Sequence, residues 1–209
     1  MKQYLDLHIH SDRSGDSVIS PKSILVKARE HGLKGVAITD HDELTKISSP
    51  YPDLIIIPGM EITVKDQNVH LLALGITEAV RTDIGLLETI DTIHDLDGIA
   101  GAPHPFSGKE GFPGMGDLVY DMDTLDAIEV TSPRPHVDNL IARKASLTMG
   151  LARIGGSDAH HPDEIASGLT VIGENVESVD ELMMLIRKRR TDGIMERNRP
   201  RSGSNRKGL

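Results

Sequence analysis

With 209 residues, 38% hydrophobic and 26% charged, the chain has the size and composition of one globular domain with a substantial core, which excludes fibrous and disordered classes. The absence of cysteine excludes disulfides, thiolate metal sites and covalent cysteine catalysis together, so any transition metal must be held by histidine and carboxylate. The net charge of −9 divides unevenly: residues 187–209 carry nine Lys or Arg against two acids and leave −16 on the 186 residues before them, a field that repels nucleic acid and free phosphate unless cations reverse it locally. No apolar run approaches the ~20 residues of a membrane span, and the first residues lack the basic and apolar regions of a signal peptide, so a cytoplasmic location and no membrane partner are expected.

In chain order, LDLHIH at residues 5–10 alternates, which predicts a strand with Leu5, Leu7 and Ile9 on one face and Asp6, His8 and His10 on the other. ISPKSILVKAREHG reads as a helix with Ser20 as N-cap, Pro21 at its first position and Gly32 as its stop. KGVAITDH is a short buried strand ending in Asp40 and His41, and LIIIPGMEITV and VHLLALGI are strands joined through the polar KDQN turn. Residues 82–97 read as a helix, GIAGAPHP as a strand ending on His104, and the Gly- and Pro-rich stretch 105–116 as a long loop. DAIEVTS is a strand, NLIARKASLTMG a helix, LARIGGSDAH a strand ending at Asp158 and His160, and LTVI a further strand. The helix SVDELMMLIRKRR opens with a capping box of Ser178 and Glu181, and its Met183 to Ile186 stretch reads as packing. A domain over 1–190 and a basic, partly disordered tail over 191–209 are expected.

Strands alternating with helices predict an α/β fold with a largely parallel sheet, and about seven strands in this length suit a distorted, TIM-barrel-like (β/α)7 barrel better than a small open sheet. His8 and His10, His41, Glu61, His104, and Asp158 with His160 all fall at or just beyond predicted strand ends. Barrels of parallel strands gather their catalytic groups on that face. Two imidazoles about 6 to 7 Å apart along one strand face can reach a single metal ion.

LHIHSDRSGDS, AITDH, GMEIT, VHLLALG, APHP and GGSDAH occur in the order and approximate spacing of the motifs of the PHP (polymerase and histidinol phosphatase) family. The resemblance spans residues 5–160, and the strand-helix order continues it to about 190. It implies a distorted seven-stranded barrel of the PHP type holding two or three divalent ions (Zn, Mn or Fe). Carried over by position, His8 and His10 would bind a first ion with Asp158 and a bridging Glu61. Glu61 would also serve a second ion held by His70 and His104, and a third would lie between Asp16, His41 and His160. Asp158, His160 and His41 would be the catalytic groups. Many family members have histidine where this chain has Asp16, which makes the third site richer in oxygen and more suited to manganese.

On the residues alone, blander readings stand beside these. A lone histidine within an apolar strand, as at His70, is usually structural, and Asp16 and His104 fit ordinary turns. Asp40 suits an orienting partner for a ligating histidine. Arg134, His136 and Lys109, in loops after two predicted strands, are expected to bind substrate phosphate, although charged loop residues are commonly just solvated. His31 is explained by a helix C terminus, His94 by a helix surface and His161 by a loop.

No GxSxG elbow and no P-loop occurs, so a metal-activated water is the expected nucleophile. The leading expectation is a metal-dependent phosphatase of a small phosphomonoester, of the nucleotide or nucleoside bisphosphate type. Histidinol-phosphate phosphatase is an alternative, as is an exonuclease or phosphodiesterase acting on nucleic-acid ends through the basic tail. Two Phe, three Tyr and no Trp leave few platforms for stacking single-stranded bases, so nucleic acid is not the favoured partner. The non-enzyme alternative is a metal-binding structural or regulatory module.

Overall fold

The computed structural model describes residues 2–107, 113–133 and 136–195, with the backbone alone for residues 136 and 137. The strands are β1 (Gln3–Ile9), β2 (Gly35–Ile38), β3 (Ile55–Val64), β4 (Val69–Leu74), β5 (Ile99–Ala102), β6 (Ala127–Thr131), β7 (Ala152–Gly155), β8 (Gly168–Ile172) and β9 (Thr191–Met195). Four helices accompany them: α1 (Pro21–Glu30), α2 (Leu86–Asp95), α3 (His136–Met149) and α4 (Val179–Arg187). All nine strands form one sheet in the order β7-β6-β5-β4-β3-β2-β1-β8-β9. Among the described residues no helix is long and apolar enough to cross a membrane.

The sheet curls into a nearly closed, TIM-like barrel. Its seam lies where β7 meets β8 and β9, and side chains rather than a backbone ladder bind it. Thr170 Oγ1 accepts from the Gly155 N–H at 2.8 Å and donates to the Gly155 carbonyl at 2.9 Å, while Thr191 Oγ1 donates to the Arg153 carbonyl at 2.8 Å. Asp192 adds ion pairs to Arg143 at 2.8 Å and Arg153 at 3.0 Å. The approach is so close that a Cβ on Gly193 would lie 2.7 Å from the Ile154 carbonyl oxygen, a contact only glycine avoids.

The strand count and direction differ from expectation. Parallel pairing holds for β1–β2, β2–β3, β5–β6 and β6–β7, but β3–β4, β4–β5, β1–β8 and β8–β9 are antiparallel. The reason is local: β3 and β4 are joined by a short turn through residues 65–68, and a turn of that length permits only an antiparallel hairpin. Thr191–Met195, expected at the start of the tail, form β9 and pair with β8, so the folded body runs past residue 190. Residues 196–209 lie outside the described ones.

Leu5, Leu7, Ala37, Ile57, Leu72, Leu74 and Ile154 fill the barrel together with Leu182, Met183, Leu185 and Ile186 of α4. Helix α4 touches β3, β5 and β7, and so closes one end. Met184, expected to pack, is 43% exposed on its outer face. The Ser178 hydroxyl caps α4 through the Glu181 N–H, but Glu181 accepts from the Glu177 N–H, so the reciprocal half of the expected capping box is shifted by one residue. Ser20 caps α1 as expected.

Strand β1 departs from simple alternation. Its register on β2 slips between Asp6 and Ile9, and Ile9 joins the outer cluster under α1 while Leu5 and Leu7 face the interior. A slip of this kind re-aims a strand end, and here it brings His8 and His10 into the open end of the barrel above Leu7. Asp6, wholly buried at the same irregularity, accepts from the Ser157 N–H at 2.8 Å, the Ala166 N–H at 2.9 Å and the His8 N–H at 3.4 Å. Asp6→Ala would strand these donors in a dry site. The expected outcome is a loss of about 2 to 3 kcal/mol in urea denaturation of the metal-free protein, and wild-type stability would show that water satisfies the three N–H groups instead.

Candidate metal centre

The open end of the barrel collects side chains from seven of the nine strands or the segments that leave them. His8 and His10 come from the end of β1, Asp16 from the following loop, Asp40 and His41 from just past β2, Glu61 from β3, and His70 from β4. His104 follows β5, Glu129 lies in β6, and Asp158 and His160 follow β7. Glu61 is not at a C-terminal strand end as expected, and His70, expected within a strand, lies at the start of β4. β3 pairs with β2 only through Pro58 and then continues with β4, so Glu61 stands beyond the level of the β2 end, where it meets His41 in a lone bridge. Because β4 runs antiparallel, its beginning, with His70, reaches the same end of the barrel.

Two groups sit in left-handed backbone conformations, His104 at φ +26 and Asp158 at φ +51. Such residues are uncommon outside glycine and are held by their surroundings. The Asp158 N–H donates to the His8 carbonyl at 2.8 Å and the His10 N–H to the Ala159 carbonyl at 3.0 Å, which laces this loop to β1. The His104 N–H donates to Glu129 Oε2 at 2.8 Å.

The donor atoms converge in overlapping groups. His8, His10, Glu61 and Asp158 form one, all buried. The two Nε2 atoms are 3.0 Å apart, and each lies 3.1 to 3.4 Å from Glu61 Oε2 and Asp158 Oδ1. A tetrahedral ion with bonds of about 2.1 Å would set its ligands about 3.4 Å apart, so these four residues fit a divalent cation. His10, Asp16, His41 and His160 form a second group, and His41, Glu61 and His70 a third. His70 Nδ1 at 2.9 Å and His104 Nε2 at 3.1 Å share a single Glu61 oxygen, Oε1. All nine residues expected as ligands therefore meet at one place, with Glu61 between the groups.

Burial and charge oppose one another here. Burial disfavours a charged His8, but Glu61, Asp158 and Glu129 outweigh it and raise its pKa well above the ordinary value. For His10 burial acts the same way and is outweighed by hydrogen bonds to Asp158 and Glu61, which push the ring up to about 9. Burial would raise Glu61, yet His8 and the hydrogen bonds from His10, His104 and His70 hold it well below the usual carboxylate range. Asp158 is held low by His8 and His10 against the same burial effect. His41, nearer solvent, is lowered by its burial, with Glu61 opposing.

Asp40 acts on a different histidine from its neighbour His41. It takes hydrogen bonds from the Ser11 N–H, the Ser11 hydroxyl, the Thr45 hydroxyl and Ser14 Oγ, and Ser14 Oγ lies 3.0 Å from His10 Nδ1. His160 Nδ1 donates to the Asp158 carbonyl at 2.9 Å. Lys109 and Arg134 lie outside the described residues, as does the side chain of His136, whose backbone begins α3. His31 caps the end of α1 as expected, whereas His94 is not simply a surface group but pairs with Asp126 at 2.9 Å. Sequence reasoning missed Glu129, whose signal was a lone acid on the Ala127, Glu129, Thr131 face of an otherwise apolar strand.

The PHP-associated family model matches residues 136–191. An uncharacterized protein of Methanocaldococcus jannaschii is 34% identical over 141 residues, which make up 60% of this chain and 79% of that one. A two-domain protein of Bacteroides vulgatus containing a predicted PHP-like metal-dependent phosphoesterase has a similar structure, with a TM-score of 0.74 at 18% identity over 93% of this chain. The chain spans 65% of that protein's length. PsfC of Pseudomonas syringae is similar at a TM-score of 0.72 and 18% identity, covering 93% of this chain and 91% of that one. The lesion-specific endonuclease EndoQ of Pyrococcus furiosus reaches 0.63 at 21% identity, over 90% of this chain and 56% of that one. At these identities the solved structures speak to the fold.

The raised His10 pKa has a signed consequence. Its folded value of about 9 lies above the ordinary 6.5, so in the metal-free protein its contribution to stability is complete below pH 6.5 and is lost as pH rises through 9. A cation must displace that proton. Manganese titrated at pH 7 into the metal-free protein should release protons, read by calorimetry in buffers of different ionisation enthalpy, and its affinity should climb with pH up to about 9. Binding without proton release would show that His10 is neutral before the ion arrives.

Proposed function

Since the chain belongs to the PHP (polymerase and histidinol phosphatase) domain family, we propose that it is a metal-dependent phosphoesterase that hydrolyses small phosphomonoesters of the nucleotide or nucleoside bisphosphate type. The observation that carries this reading is the convergence of histidine and carboxylate donors on Glu61 at the open end of the barrel. In this proposal His8, His10, Glu61 and Asp158 hold one divalent ion, Glu61, His70 and His104 a second, and Asp16, His41 and His160 a third. Such ions lower the pKa of water and neutralise phosphoryl oxygens, so no protein nucleophile is needed.

The chain's own residues divide the remaining work by depth. His8, His10 and Glu61 are at most 1% exposed, while the side chains of His41 and His160 are 25% exposed and that of Asp16 is 48% exposed. Substrate therefore meets the Asp16, His41 and His160 side first. The Asp158 carbonyl accepts a hydrogen bond from the His160 Nδ1–H, which leaves Nε2 beside Asp16. The lowered pKa of His41 keeps its ring neutral at pH 7, free to accept a proton or to bind a cation. Lys109, Arg134 and His136 are proposed to orient the phosphate, since an acidic site needs donors to hold an anion.

A second reading, cleavage of nucleic-acid ends, draws on the EndoQ likeness and on the basic residues from Arg197 onward. One experiment separates the readings: orthophosphate release by manganese-loaded protein from nucleotides, nucleoside bisphosphates, histidinol phosphate and sugar phosphates, beside an oligonucleotide. Release from a small monoester is expected, and Asp158→Asn and His8→Ala should each lower it by more than about 100-fold. Cleavage of the oligonucleotide alone would move the assignment to a nuclease. Metal binding without turnover of any substrate would leave a non-catalytic metal module.

A further inference from the structure

Glu129 is 1% exposed in β6, yet it supplies no atom to the converging donor groups. A buried carboxylate is costly unless its oxygens meet donors, so what those oxygens face is informative. Oε2 accepts from the His104 backbone N–H at 2.8 Å. Oε1 lies 3.4 Å from His8 Nδ1, and both atoms are buried with no other hydrogen-bond partner. Gly156 lets the pair pack against the chain, since a Cβ there would stand 2.3 Å from His8 Cβ, 2.8 Å from the His8 backbone nitrogen and 2.9 Å from Glu129 Oε1.

We propose that Glu129 is a positioning residue that sets two ligands of different ions at once, an inference that rests on the metal-centre part of the functional reading and not on the substrate. Through Oε1 it keeps the His8 proton on Nδ1, which frees Nε2 to face His10, Glu61 and Asp158. Through Oε2 it holds the amide of His104, whose left-handed backbone turns Nε2 toward Glu61 Oε1. The two ion-binding groups are then joined twice, by Glu61 in front and by Glu129 behind. A carboxylate is required for this because both of its neighbours are N–H donors. A carboxamide can accept from only one of them and sets an NH2 against the other.

The test is Glu129→Gln, with Glu129→Ala as the fuller deletion. Zinc and manganese affinities are measured by calorimetry, beside thermal unfolding of the metal-free proteins. Both affinities at the sites of His8 and His104 are expected to fall by about 10 to 100-fold in the Gln variant, with far-ultraviolet circular dichroism unchanged. Wild-type affinity in Glu129→Gln, whatever its unfolding midpoint, would overturn the proposal and leave Glu129 a packing group. Affinity lost at one site alone would overturn the shared role.

Nitrogen-15 spectra of the zinc-loaded wild-type protein give a readout that needs no variant to fold. A His8 ring carrying its proton on Nδ1 and zinc on Nε2 supports the assignment, and the opposite tautomer overturns it. Should the wild-type chain bind neither ion, the metal-centre reading itself fails, which is distinct from a Gln variant that binds as well as wild type.

Discussion

Glu61 imposes the constraint from which the rest of the structure follows. A carboxylate 1% exposed, with His8, His10, His41, His70 and His104 all within hydrogen-bond or ion-pair distance of its two oxygens, cannot stay ionised in a dry site unless positive charge is brought to it. Five imidazoles from four chain segments can meet there only if the strands are drawn into a ring. The nearly closed barrel supplies that ring. Its packing would tolerate many apolar substitutions, whereas moving Glu61 off this axis would remove the one carboxylate that these five histidines share.

The barrel is accordingly built to bring chain ends together at its open end, at some local cost. Side-chain hydroxyls and Asp192 close the seam, where a glycine permits backbones to touch. The slip in β1 turns His8 and His10 inward, and the left-handed conformations of His104 and Asp158 turn their side chains to Glu61 and to His8 and His10. The slip in β1 and the two left-handed residues lie within or beside the cluster. The opposite end, plugged by Leu182, Leu185 and Ile186 of α4, is ordinary apolar packing. Strain of this kind persists only where surrounding bonds over-determine it, and here the lacing of Asp158 to β1 and of His104 to Glu129 does so.

Much of this was legible in the residues because the ligands sit in short, chemically odd runs such as HIH, TDH and SDAH, which interrupt apolar strands. Runs of this kind placed seven of the nine expected ligands at or just beyond strand ends, and the structure brings all nine together. What escaped was register and direction. Alternation through LDLHIH cannot reveal a slip in β1, since a bulge changes which residues face inward without changing their order. The helical periods were clear, but an antiparallel β4 follows from turn length, and its effect on His70 needs the partner strand. Glu129 carries no visible role in the residues alone, because a single acid in an apolar strand has meaning only when His8 and His104, 121 and 25 residues away in sequence, are seen against it.

The cluster is also graded, and the gradient bears on what it can do. The deep end, at His8, His10 and Glu61, is buried and holds the Glu61 carboxylate ionised through imidazole contacts, so the donor geometry there is tightly fixed. The outer end, at Asp16, His41 and His160, is a quarter to a half exposed and joined by single contacts of 3.2 to 3.3 Å. Screening by water weakens each of those contacts. A centre arranged this way keeps its charge fixed at depth while leaving its outermost donors adjustable to an incoming anion. Under the proposed function it is this outer group that would distinguish one phosphoester from another, while the deep group would serve all of them.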